Sequence, residues 1–539
     1  MKQRTVGGLA LFLTGKKRKT GGEDAVFLLF FLVMAVYYGA RMFTLTPWYD
    51  ELYTYFYFIS RGPVYAALHW PLPNNHVGYS TLSACLGIFG SAPIALRGVS
   101  YLCSLANLCL LYRISRKWFA GVVTLIPVVL FAGIYGVNQL AVQGRGYSLV
   151  TCCYLTALLS LWRIVEEKKD NTRYYIAFGA ALVVSLWAVP SSLYVVMPVC
   201  LTGGFTLLLE KDYRRLLRLI AASFVGAVCT AVLYGLLWLA IGSNLLTKTP
   251  DGPFYMAGHI HIILHAPFQA LSEGIGYMLA SPYIQSMTRQ EFWNQAWHWL
   301  TTLFGIQLAP MRGLTGNGMC VLLALGLAAA IVCVVRKPKK AYLEWYFLLT
   351  AVLLTLTLLI QCKLPYQRVF SFLGVWVALL VGWLVQKGVL LIRSMPAFRW
   401  QSRIEKGFQT AALLVAGIFW TFVLTDMTPY SMREELAAEA YEWADIGDTD
   451  VCAVTDCDQE YLLLYLYGDK QVQTTRNIEE ADIVLLDKAL LGLPYGHREA
   501  PEEWKFYLSK EETDKYRTYI EENMAQVYEN WQYVMYRRK

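Results

Sequence analysis

Two adjacent carboxylates, Asp50 and Glu51, follow directly after the first long apolar run of the chain. Charged groups at a membrane surface are costly and rarely incidental. A carboxylate held there can act as a general base on a hydroxyl group while a lipid-borne substrate lies in the bilayer beside it. Aromatic residues that suit the membrane–water interface surround the pair, namely Trp48, Tyr49, Tyr53, Tyr55 and Tyr57. The alternative interpretation is an ordinary helix start within an aromatic belt.

A set of cations forms the second group of candidate functional residues. Each lies close to the end of an apolar run on the same predicted side of the membrane; they are Arg61, Arg97, Arg145, Lys363 and Arg368. Such a group suits a phosphate or pyrophosphate head group. Any one of them could instead be a side chain that snorkels to the membrane rim. Because several flank the same carboxylate pair, the sequence favours an anionic lipid site.

Other polar residues lie next to or within apolar runs, where burying them in a membrane costs free energy. His76, beside Asn75, could orient a phosphate, a sugar hydroxyl or a metal, or it could begin a turn before an aromatic helix. Gln139, Gln143 and Arg145 precede a later apolar run, where they need a wet or protein-filled cavity.

Three histidines, His259, His261 and His265, form the one metal-like cluster in the sequence. His261 and His265 are four residues apart and could share a helix face. No clear carboxylate partner accompanies them, so a divalent metal is conceivable but not required by the sequence.

The composition is that of a polytopic membrane protein. The chain has 539 residues, of which 56% are hydrophobic and 16% charged, and its mean hydropathy is +0.39. No soluble protein of this length needs so much apolar sequence. We expect about eleven transmembrane helices, near residues 25–45, 94–112, 119–137, 147–163, 174–189, 190–208, 217–241, 319–335, 343–361, 369–386 and 407–425. The join between 174–189 and 190–208 could be a tight reversal or a kink in one helix.

The distribution of basic residues predicts the orientation. With the N-terminus in the cytoplasm, inside segments hold 26 of the 35 Lys and Arg of residues 1–429. Residues 25–45 then act as an uncleaved signal-anchor, and the long loops 46–93 and 243–318 lie outside. Because the basic residues sit in short loops between spans, they do not imply a nucleic-acid partner. The predicted location is the cytoplasmic membrane.

Residues 430–539 are predicted to be a separate extracytoplasmic domain, in contrast to the membrane domain of residues 1–429. They contain 24 Asp and Glu against 12 Lys and Arg. Strand-like runs and helical stretches alternate and predict a small α/β domain; the strands are Val451–Thr455, Tyr461–Tyr467, Gln471–Thr475, Ile483–Leu486 and Trp531–Tyr536, and the helices 431–444 and 511–526. Cys452 and Cys457 could form a disulfide or remain free thiols.

The order of the motifs resembles a known family. A signal-anchor is followed by Trp48-Tyr49-Asp50-Glu51, Asn75-His76-x-x-Tyr79, Ala95-Leu96-Arg97-Gly98-Val99-Ser100, Gln143-Gly144-Arg145-Gly146-Tyr147 and, later, Lys363-Leu364-Pro365-Tyr366. Over roughly residues 24–165 this pattern resembles the polyprenyl-phosphate-sugar-dependent glycosyltransferases of the GT-C fold. It is similar to bacterial relatives of the protein O-mannosyltransferases and of the lipid A aminoarabinose transferase.

The resemblance implies roles for particular residues. Asp50 would be the catalytic base, with Glu51 as its neighbour, while Arg97, Arg145 and Tyr147 would lie near the lipid-phosphate cavity. His76 stands in the family's His-Pro-Pro element, whose prolines are replaced here by Val77 and Gly78. The cations listed above would stabilise the leaving polyprenyl phosphate.

The resemblance also implies partners and a mechanism. The donor would be a polyprenyl-phosphate sugar, the surroundings membrane lipids, and the acceptor a glycan, lipid or protein hydroxyl. One carboxylate suffices for transfer with inversion, and no cofactor is required. Two other classes remain open: a transporter or flippase of a lipid-linked glycan, and a catalytically inactive envelope-assembly protein. A flippase has no need of a base at one membrane face, so the carboxylate pair favours the enzyme.

Overall fold

The computed structural model describes residues 22–69, 75–280, 286–309, 316–395, 400–425, 431–468, 472–493 and 505–539. The chain divides into two compact units. The membrane unit comprises Met1–Met42 and Arg61–Asp426, and the tail unit comprises Phe43–Ser60 and Met427–Lys539. The sequence predicts a boundary at residue 430 and does not indicate that residues 43–60, which include Asp50 and Glu51, associate with the tail.

The membrane unit consists of helices in the part of the chain that the structure describes. They are α1 (Gly22–Thr44), α3 (Pro63–Leu68), α4 (Val77–Leu86), α5 (Ala92–Trp118), α6 (Ile126–Ala132), α7 (Tyr135–Leu140), α8 (Tyr147–Val165), α9 (Thr172–Ala188), α10 (Leu193–Leu209), α11 (Tyr213–Lys248), α12 (His259–His265), α13 (Pro267–Ala280), α14 (Arg289–Thr302), α15 (Gly316–Arg336), α16 (Tyr342–Gln361), α17 (Leu373–Ser394) and α18 (Gln401–Thr425). Helix α2 (Tyr49–Tyr57) belongs to the tail unit.

Nine helices among the described residues are long and apolar enough to cross a membrane. They are α1, α5, α8, α10 together with the turn before it, α11, α15, α16, α17 and α18. These nine coincide with nine of the eleven predicted runs and confirm a polytopic helical membrane protein. Of the two remaining runs, 119–137 is not one continuous helix, and 174–189 corresponds to the 17-residue helix α9, which is shorter than those nine.

The predicted span at 119–137 is divided into short pieces. A 3-10 turn covers Gly121–Thr124, and α6 and α7 follow it. Pro127 stands in the first turn of α6, a position where its missing N–H costs nothing, and α6 ends before Gly133. The apolar composition of this run therefore reflects burial inside the unit rather than one continuous span.

The join at 188–192 separates two helices. Helix α9 has 17 residues and ends at Ala188, and Val189 is extended, with φ −147° and ψ 120°. The residue before a proline disfavours the helical conformation, which accounts for the break before Pro190. A 3-10 turn over Pro190–Ser192 leads into α10. The sequence left this join open, and the structure shows two helices rather than one kinked helix.

The tail unit contains a five-stranded sheet in the order β2-β1-β3-β5-β4. Its strands are β1 (Val451–Ala453), β2 (Gln473–Thr475), β3 (Ile483–Asp487), β4 (Met524–Glu529) and β5 (Tyr533–Arg538), and its other helices are α19 (Met432–Ala444), α20 (Cys457–Tyr467) and α21 (Lys510–Asn523). Strand β1 pairs in parallel with β2 and β3, whereas β5 pairs antiparallel with β3 and β4. The predicted α/β domain is confirmed.

Two details of the tail differ from the prediction. Tyr461–Tyr467, predicted as a strand, lies within helix α20, whose N-cap Asp456 accepts the backbone N–H of Gln459 at 2.8 Å. Tertiary packing overrides the β preference of its tyrosines, because the helix buries Leu462 and Leu463 completely. The helix predicted over 511–526 ends at Asn523, and strand β4 begins at the next residue.

Cys452 and Cys457 are buried free thiols, so the structure does not form the disulfide that the sequence allowed. Both sit in the core of the tail unit.

An ion cluster lies at the core of the tail unit. Arg433 is buried and forms ion pairs with three buried carboxylates, at 2.9 Å to Asp458, at 2.6 Å to Asp487 and also with Asp456. Lys505 lies 3.2 Å from Asp458. Removing one partner from such a cluster would leave uncompensated buried charge, which typically costs about 3–5 kcal/mol. The cluster therefore fixes how α19 packs against the ends of β1 and β3.

Candidate functional site

The candidate site in the membrane unit is built around a buried segment without regular structure, residues 141–146, between α7 and α8. Buried backbone carbonyls outside helices need hydrogen-bond donors. Serines of α5 supply them: Ser100 donates to the carbonyl oxygens of Gln143 and Arg145, the latter at 3.2 Å, and Ser104 donates to that of Ala141 at 2.5 Å. The sequence folds locally in this way because α5 presents small hydroxyls to the segment.

His76, which directly precedes α4, is in direct contact with Arg145 of this segment. Nε2 of His76 lies 3.1 Å from Nη2 of Arg145, and Nδ1 accepts the backbone N–H of Gly146 at 2.9 Å. The ring of Tyr147 meets the imidazole edge-on, with the ring centroids 5.3 Å apart. The structure thus brings together three of the residues that the sequence proposed for phosphate binding.

The hydrogen bonds of His76 indicate where its proton lies. A neutral imidazole has one N–H donor and one acceptor nitrogen. Because Nδ1 accepts from Gly146, the proton of the neutral ring belongs on Nε2. This N–H then points toward the guanidinium of Arg145, which is also a donor. Two donors at this distance are best satisfied by a shared anionic acceptor, such as a phosphate oxygen.

The electrostatic environment keeps His76 neutral. Burial, followed by the positive charges of Arg145 and Arg368, holds the pKa of His76 well below its usual 6.5. Arg368 is therefore close enough to act on the ring through its charge. Its guanidinium lies 4.9 Å from the ring centre of Tyr366.

The segment that contains Lys363 and Arg368 is held by an aromatic side chain. Nε1 of Trp299, which is buried in α14, donates to the carbonyl oxygen of Pro365 at 2.7 Å. Lys363 is half-buried in the same segment. The stretch 243–318, which the sequence predicts to be an external loop, therefore contributes, through Trp299, to holding the Lys363-Leu364-Pro365-Tyr366 element.

Two glycines allow the residues around His76 and Arg145 to pack closely against the end of α9. A Cβ on Gly146 would lie 2.6 Å from Cγ2 of Val189, and one on Gly78 would lie 2.9 Å from the backbone nitrogen of Ala188. The end of α9 thus approaches both His76-Val77-Gly78 and the start of α8. Gly78 stands where the resemblance implies a proline, and its lack of a side chain fits this close approach. His76 contacts Arg145 in this arrangement.

Two further arginines of the membrane unit are buried. Arg97 on α5 is buried and donates to the carbonyl oxygen of Met42 at 3.3 Å. Arg41 in the last turn of α1 is completely buried and donates to Oε1 of Gln139 and to the hydroxyl of Tyr37, both at 3.0 Å. Arg41 was not among the predicted site residues. From the sequence alone, an arginine at a helix end is typical of a side chain that snorkels to the membrane rim. Its contact with Gln139 joins residues far apart in the sequence, so the sequence does not indicate it.

Arg61 is placed differently from the other predicted cations. It is exposed, and its Nη1 donates to the hydroxyl of Tyr65 at 3.0 Å. It does not share the buried segment that holds His76 and Arg145.

A small cavity with a mixed polar and apolar lining lies beside Tyr147. Its volume is about 20 Å³, and Ser104, Asn107, Ser148 and Thr151 contribute polar groups to its lining. This volume suits roughly one water molecule.

Asp50 and Glu51 lie in the first turn of α2, in the tail unit. Both are buried, with 8% and 1% of their surface exposed. The Glu51 carboxylate reaches back to the backbone N–H of Trp48 at 3.4 Å, and the carbonyl oxygen of Asp50 accepts the hydroxyl of Thr54 at 2.6 Å. Glu51 therefore closes the start of the helix, as in the alternative interpretation of the pair, while the Asp50 carboxyl projects from the second position of the same turn.

The histidines of the predicted second external loop do not assemble a metal site in the described part of the chain, where no three His, Cys, Asp or Glu side chains come together. The rings of His261 and His265 lie with their centroids 4.1 Å apart and their planes tilted by 31°. Their neighbour His259 lies 3.0 Å from the hydroxyl of Ser243. The two neighbouring rings thus provide two ligands at most for a divalent metal here.

Comparisons with known proteins address the fold and the family. Residues 77–238 match a family model described as dolichyl-phosphate-mannose-protein mannosyltransferase. This region begins directly after His76, and it contains Arg97, Arg145 and Tyr147. No curated protein matches the sequence at a significant level.

Solved structures match over most of the chain. The apo structure of ArnT from Cupriavidus metallidurans has a TM-score of 0.50 and 11% identity, covering 96% of this chain and 98% of ArnT. This chain is similar to the GT-C glycosyltransferases. The family model and the shared fold together confirm the resemblance found in the sequence.

Two further solved structures match with a TM-score below 0.5. ArnT from the same organism bound to undecaprenyl phosphate matches with a TM-score of 0.41 and 14% identity, covering 94% of this chain and 97% of ArnT. The oligosaccharyltransferase AglB from Archaeoglobus fulgidus, in complex with an inhibitory peptide and a dolichol-phosphate, matches with a TM-score of 0.45 and 13% identity over 86% of this chain. This chain spans 66% of the length of AglB.

Proposed function

We propose that the protein is an inverting glycosyltransferase of the cytoplasmic membrane. It transfers a sugar from a polyprenyl-phosphate donor to an acceptor hydroxyl on the outer face. The observation that carries the proposal is the contact of His76 with Arg145 and Gly146. Arg145 and Gly146 lie within residues 77–238, which match the mannosyltransferase family model, and His76 directly precedes that region. Two donors that lie side by side at a buried position favour an anionic acceptor, such as a phosphate oxygen, that both can reach.

In this mechanism Asp50 is the general base. Its carboxylate removes the proton of the acceptor hydroxyl, and the hydroxyl oxygen attacks the anomeric carbon of the donor sugar. The bond between that carbon and the phosphate oxygen breaks, and the polyprenyl phosphate leaves with its additional negative charge. Arg145, the Nε2–H of His76 and Arg368 stabilise that charge. The acceptor is a hydroxyl of a glycan, lipid or protein.

The remaining predicted residues have supporting roles in the proposal. Arg97 adds positive potential from α5, and Tyr147 fixes the edge of the imidazole. Lys363 and Arg61 attract the anionic donor at longer range. Glu51 holds the first turn of α2 closed and so keeps the Asp50 backbone in place.

The test is transfer from a panel of radiolabelled undecaprenyl-phosphate sugars, including the mannose form, in membranes that contain matched amounts of each variant. We expect transfer with the wild type and a loss of at least about 100-fold with Asp50→Asn, since a positioned general base contributes 10²–10⁴-fold. The matched control is Asp251→Asn, because Asp251 is an exposed carboxylate in the external loop 243–318. Equal transfer by the wild type and Asp50→Asn would exclude Asp50 as the base. No transfer from any donor by folded protein would favour the flippase.

A further inference from the structure

The helix that carries Asp50 is integrated into the core of the tail unit. Leu52 is completely buried among the apolar residues of that unit, and Phe56 packs against the same core. Tyr461 of α20 contacts α2 along its length: its ring centroid lies 6.1 Å from that of Tyr49, and its hydroxyl lies 3.0 Å from that of Tyr57. Short helix α2 thus depends on the C-terminal part of the chain for its position.

One residue of the tail binds the start of this helix. The carboxylate of Glu434 accepts the backbone N–H of Tyr49, the first residue of α2, at 2.8 Å. The first N–H groups of a helix have no partner within it, and a negative charge there is favoured by the helix dipole. Glu434 is 2% exposed, and the hydroxyl of Ser431 donates to its other carboxylate oxygen. The carboxylate is therefore held at both oxygens.

The charges around Glu434 are few and identifiable. Asp458 on α20 acts on it as a negative charge and Lys505 as a positive one. Lys505 also lies 4.9 Å from the ring centre of Tyr49 and 3.2 Å from Asp458. Burial and Asp458 raise the pKa of Glu434 to about 7, although Ser431, Lys505 and the Tyr49 N–H act in the opposite direction. The charge of this carboxylate therefore changes near neutral pH.

We propose that Glu434 is a positioning residue for Asp50: by holding the first N–H of α2, it sets where the adjacent Asp50 carboxyl lies. The inference rests on the proposed function, in which Asp50 is the base. A displacement of a reacting group by about 1 Å can cost about 100-fold in rate. Glu434 thereby contributes to catalysis without touching the substrate.

The first experiment compares turnover of the purified full-length protein with radiolabelled undecaprenyl-phosphate mannose, or with the donor sugar that supports transfer in the panel. For Glu434→Ala we expect kcat to fall about 10–100-fold, with KM for the donor changed less than about threefold. Glu434→Gln keeps a carbonyl oxygen that can accept from Tyr49, so near pH 6 it should recover most of kcat. Glu442→Ala, an exposed carboxylate on the same helix, should behave as the wild type.

The pH profile separates positioning from simple stabilisation. Protonated Glu434 is neutral and shaped like glutamine, so the ratio of wild-type kcat to that of Glu434→Gln should approach 1 near pH 6. It should rise as pH increases through about 7, where the wild-type carboxylate gains its charge. A ratio that does not change with pH would overturn the role of the charge.

Amide hydrogen exchange provides a readout that needs no substrate. Exchange in the peptide containing residues 49–54 should become faster in Glu434→Ala and stay as in the wild type for Glu442→Ala. Unchanged exchange together with unchanged kcat in Glu434→Ala would overturn the inference. If Asp50→Asn is inactive while Glu434→Ala is fully active, only the positioning role fails; if Asp50→Asn is active, the proposed function fails. Should Glu434→Ala not fold, Glu434→Gln and its pH profile decide.

Discussion

The backbone N–H of Gly146 donates to Nδ1 of His76 at 2.9 Å, and this bond leaves Nε2 as the nitrogen that carries the proton. Nε2 faces Arg145 at 3.1 Å. A backbone group thus determines what the imidazole offers to a ligand, and the two ring nitrogens have separable roles.

Substitutions at His76 can separate those roles. Asparagine can reproduce the acceptor at the Nδ1 position but does not extend a donor to the Nε2 position. We expect His76→Asn to melt near the wild-type temperature while KM for the polyprenyl-phosphate donor rises about 10-fold, the value of one charge-assisted hydrogen bond.

His76→Ala serves as the comparison, because it also leaves the Gly146 N–H without its acceptor. It should lose about 1–3 kcal/mol of stability in addition to donor affinity. Donor KM and melting temperature of the three proteins provide the measurement. An unchanged KM in His76→Asn would show that Nε2 does not bind the donor.

The neutral state of His76 predicts a pH dependence of stability. Its pKa in the folded protein lies well below 6.5, whereas in the unfolded chain it returns to about 6.5. Below that pH the unfolded state takes up a proton that the folded state does not, so the free energy of unfolding falls as pH decreases. Between pH 7 and pH 5 the loss from this group is about 2 kcal/mol.

His76→Asn removes the titrating group and provides the control. The difference in melting temperature between wild type and His76→Asn should shift in favour of the variant as pH falls from 7 to 5, and it should be constant above pH 7. A difference that stays the same over the whole range would contradict the neutral buried imidazole.

The close approach at Gly146 predicts a steric effect. An added Cβ would lie 2.6 Å from Cγ2 of Val189, a stiff β-branched side chain. Gly146→Ala should therefore destabilise the protein by about 1–3 kcal/mol, as overpacking does. Adding Val189→Ala removes the clashing methyl and should restore most of the melting temperature. Gly235→Ala is the matched control, since a Cβ there meets nothing within 4 Å.

The buried thiols of the tail unit predict selective labelling. Burial, with the charge of nearby carboxylates, raises the pKa of both Cys452 and Cys457 to about 12. The reactive thiolate is scarce at pH 7.5, so neither residue should react with iodoacetamide in the folded protein. Exposed Cys85 provides the internal comparison, and denaturant should make all three react. If Cys457 were modified in the native protein as fast as Cys85, this would contradict the burial of Cys457 in the core of the tail unit.

Local residue types predicted much of the membrane unit. Long apolar runs predicted eleven spans, and nine of them coincide with helices long enough to cross a membrane. Of the seven residues predicted to bind the substrate or the lipid phosphate, the structure brings His76 into contact with Arg145 and Tyr147. These features are readable because each depends on composition or on residues near in sequence. The assignments of chemistry to these residues, and to Asp50, remain predictions.

Other features depend on contacts between distant residues. Nothing near Leu52 indicates that it enters a core with Leu462 and Tyr441, so the association of residues 43–60 with the tail was missed. Tyr461–Tyr467 has the tyrosines of a strand, yet a cap from Asp456 and the burial of Leu462 make it a helix. The sequence does not predict Arg41 as a site residue, because its partner Gln139 lies on another helix.

The ion cluster of Arg433 occupies a particular place in the tail sheet. Asp456 and Asp458 follow β1, and Asp487 ends β3, the two parallel neighbours of the sheet. In open α/β sheets, the crevice beyond the carboxyl ends of such strands is where nucleotides and other small ligands commonly bind. Here the guanidinium of Arg433 occupies that position and forms ion pairs with the three carboxylates. A buried ion cluster of the protein therefore stands where such sheets commonly bind a ligand, and the residue next in sequence to Arg433, Glu434, accepts the first backbone N–H of the helix that carries Asp50.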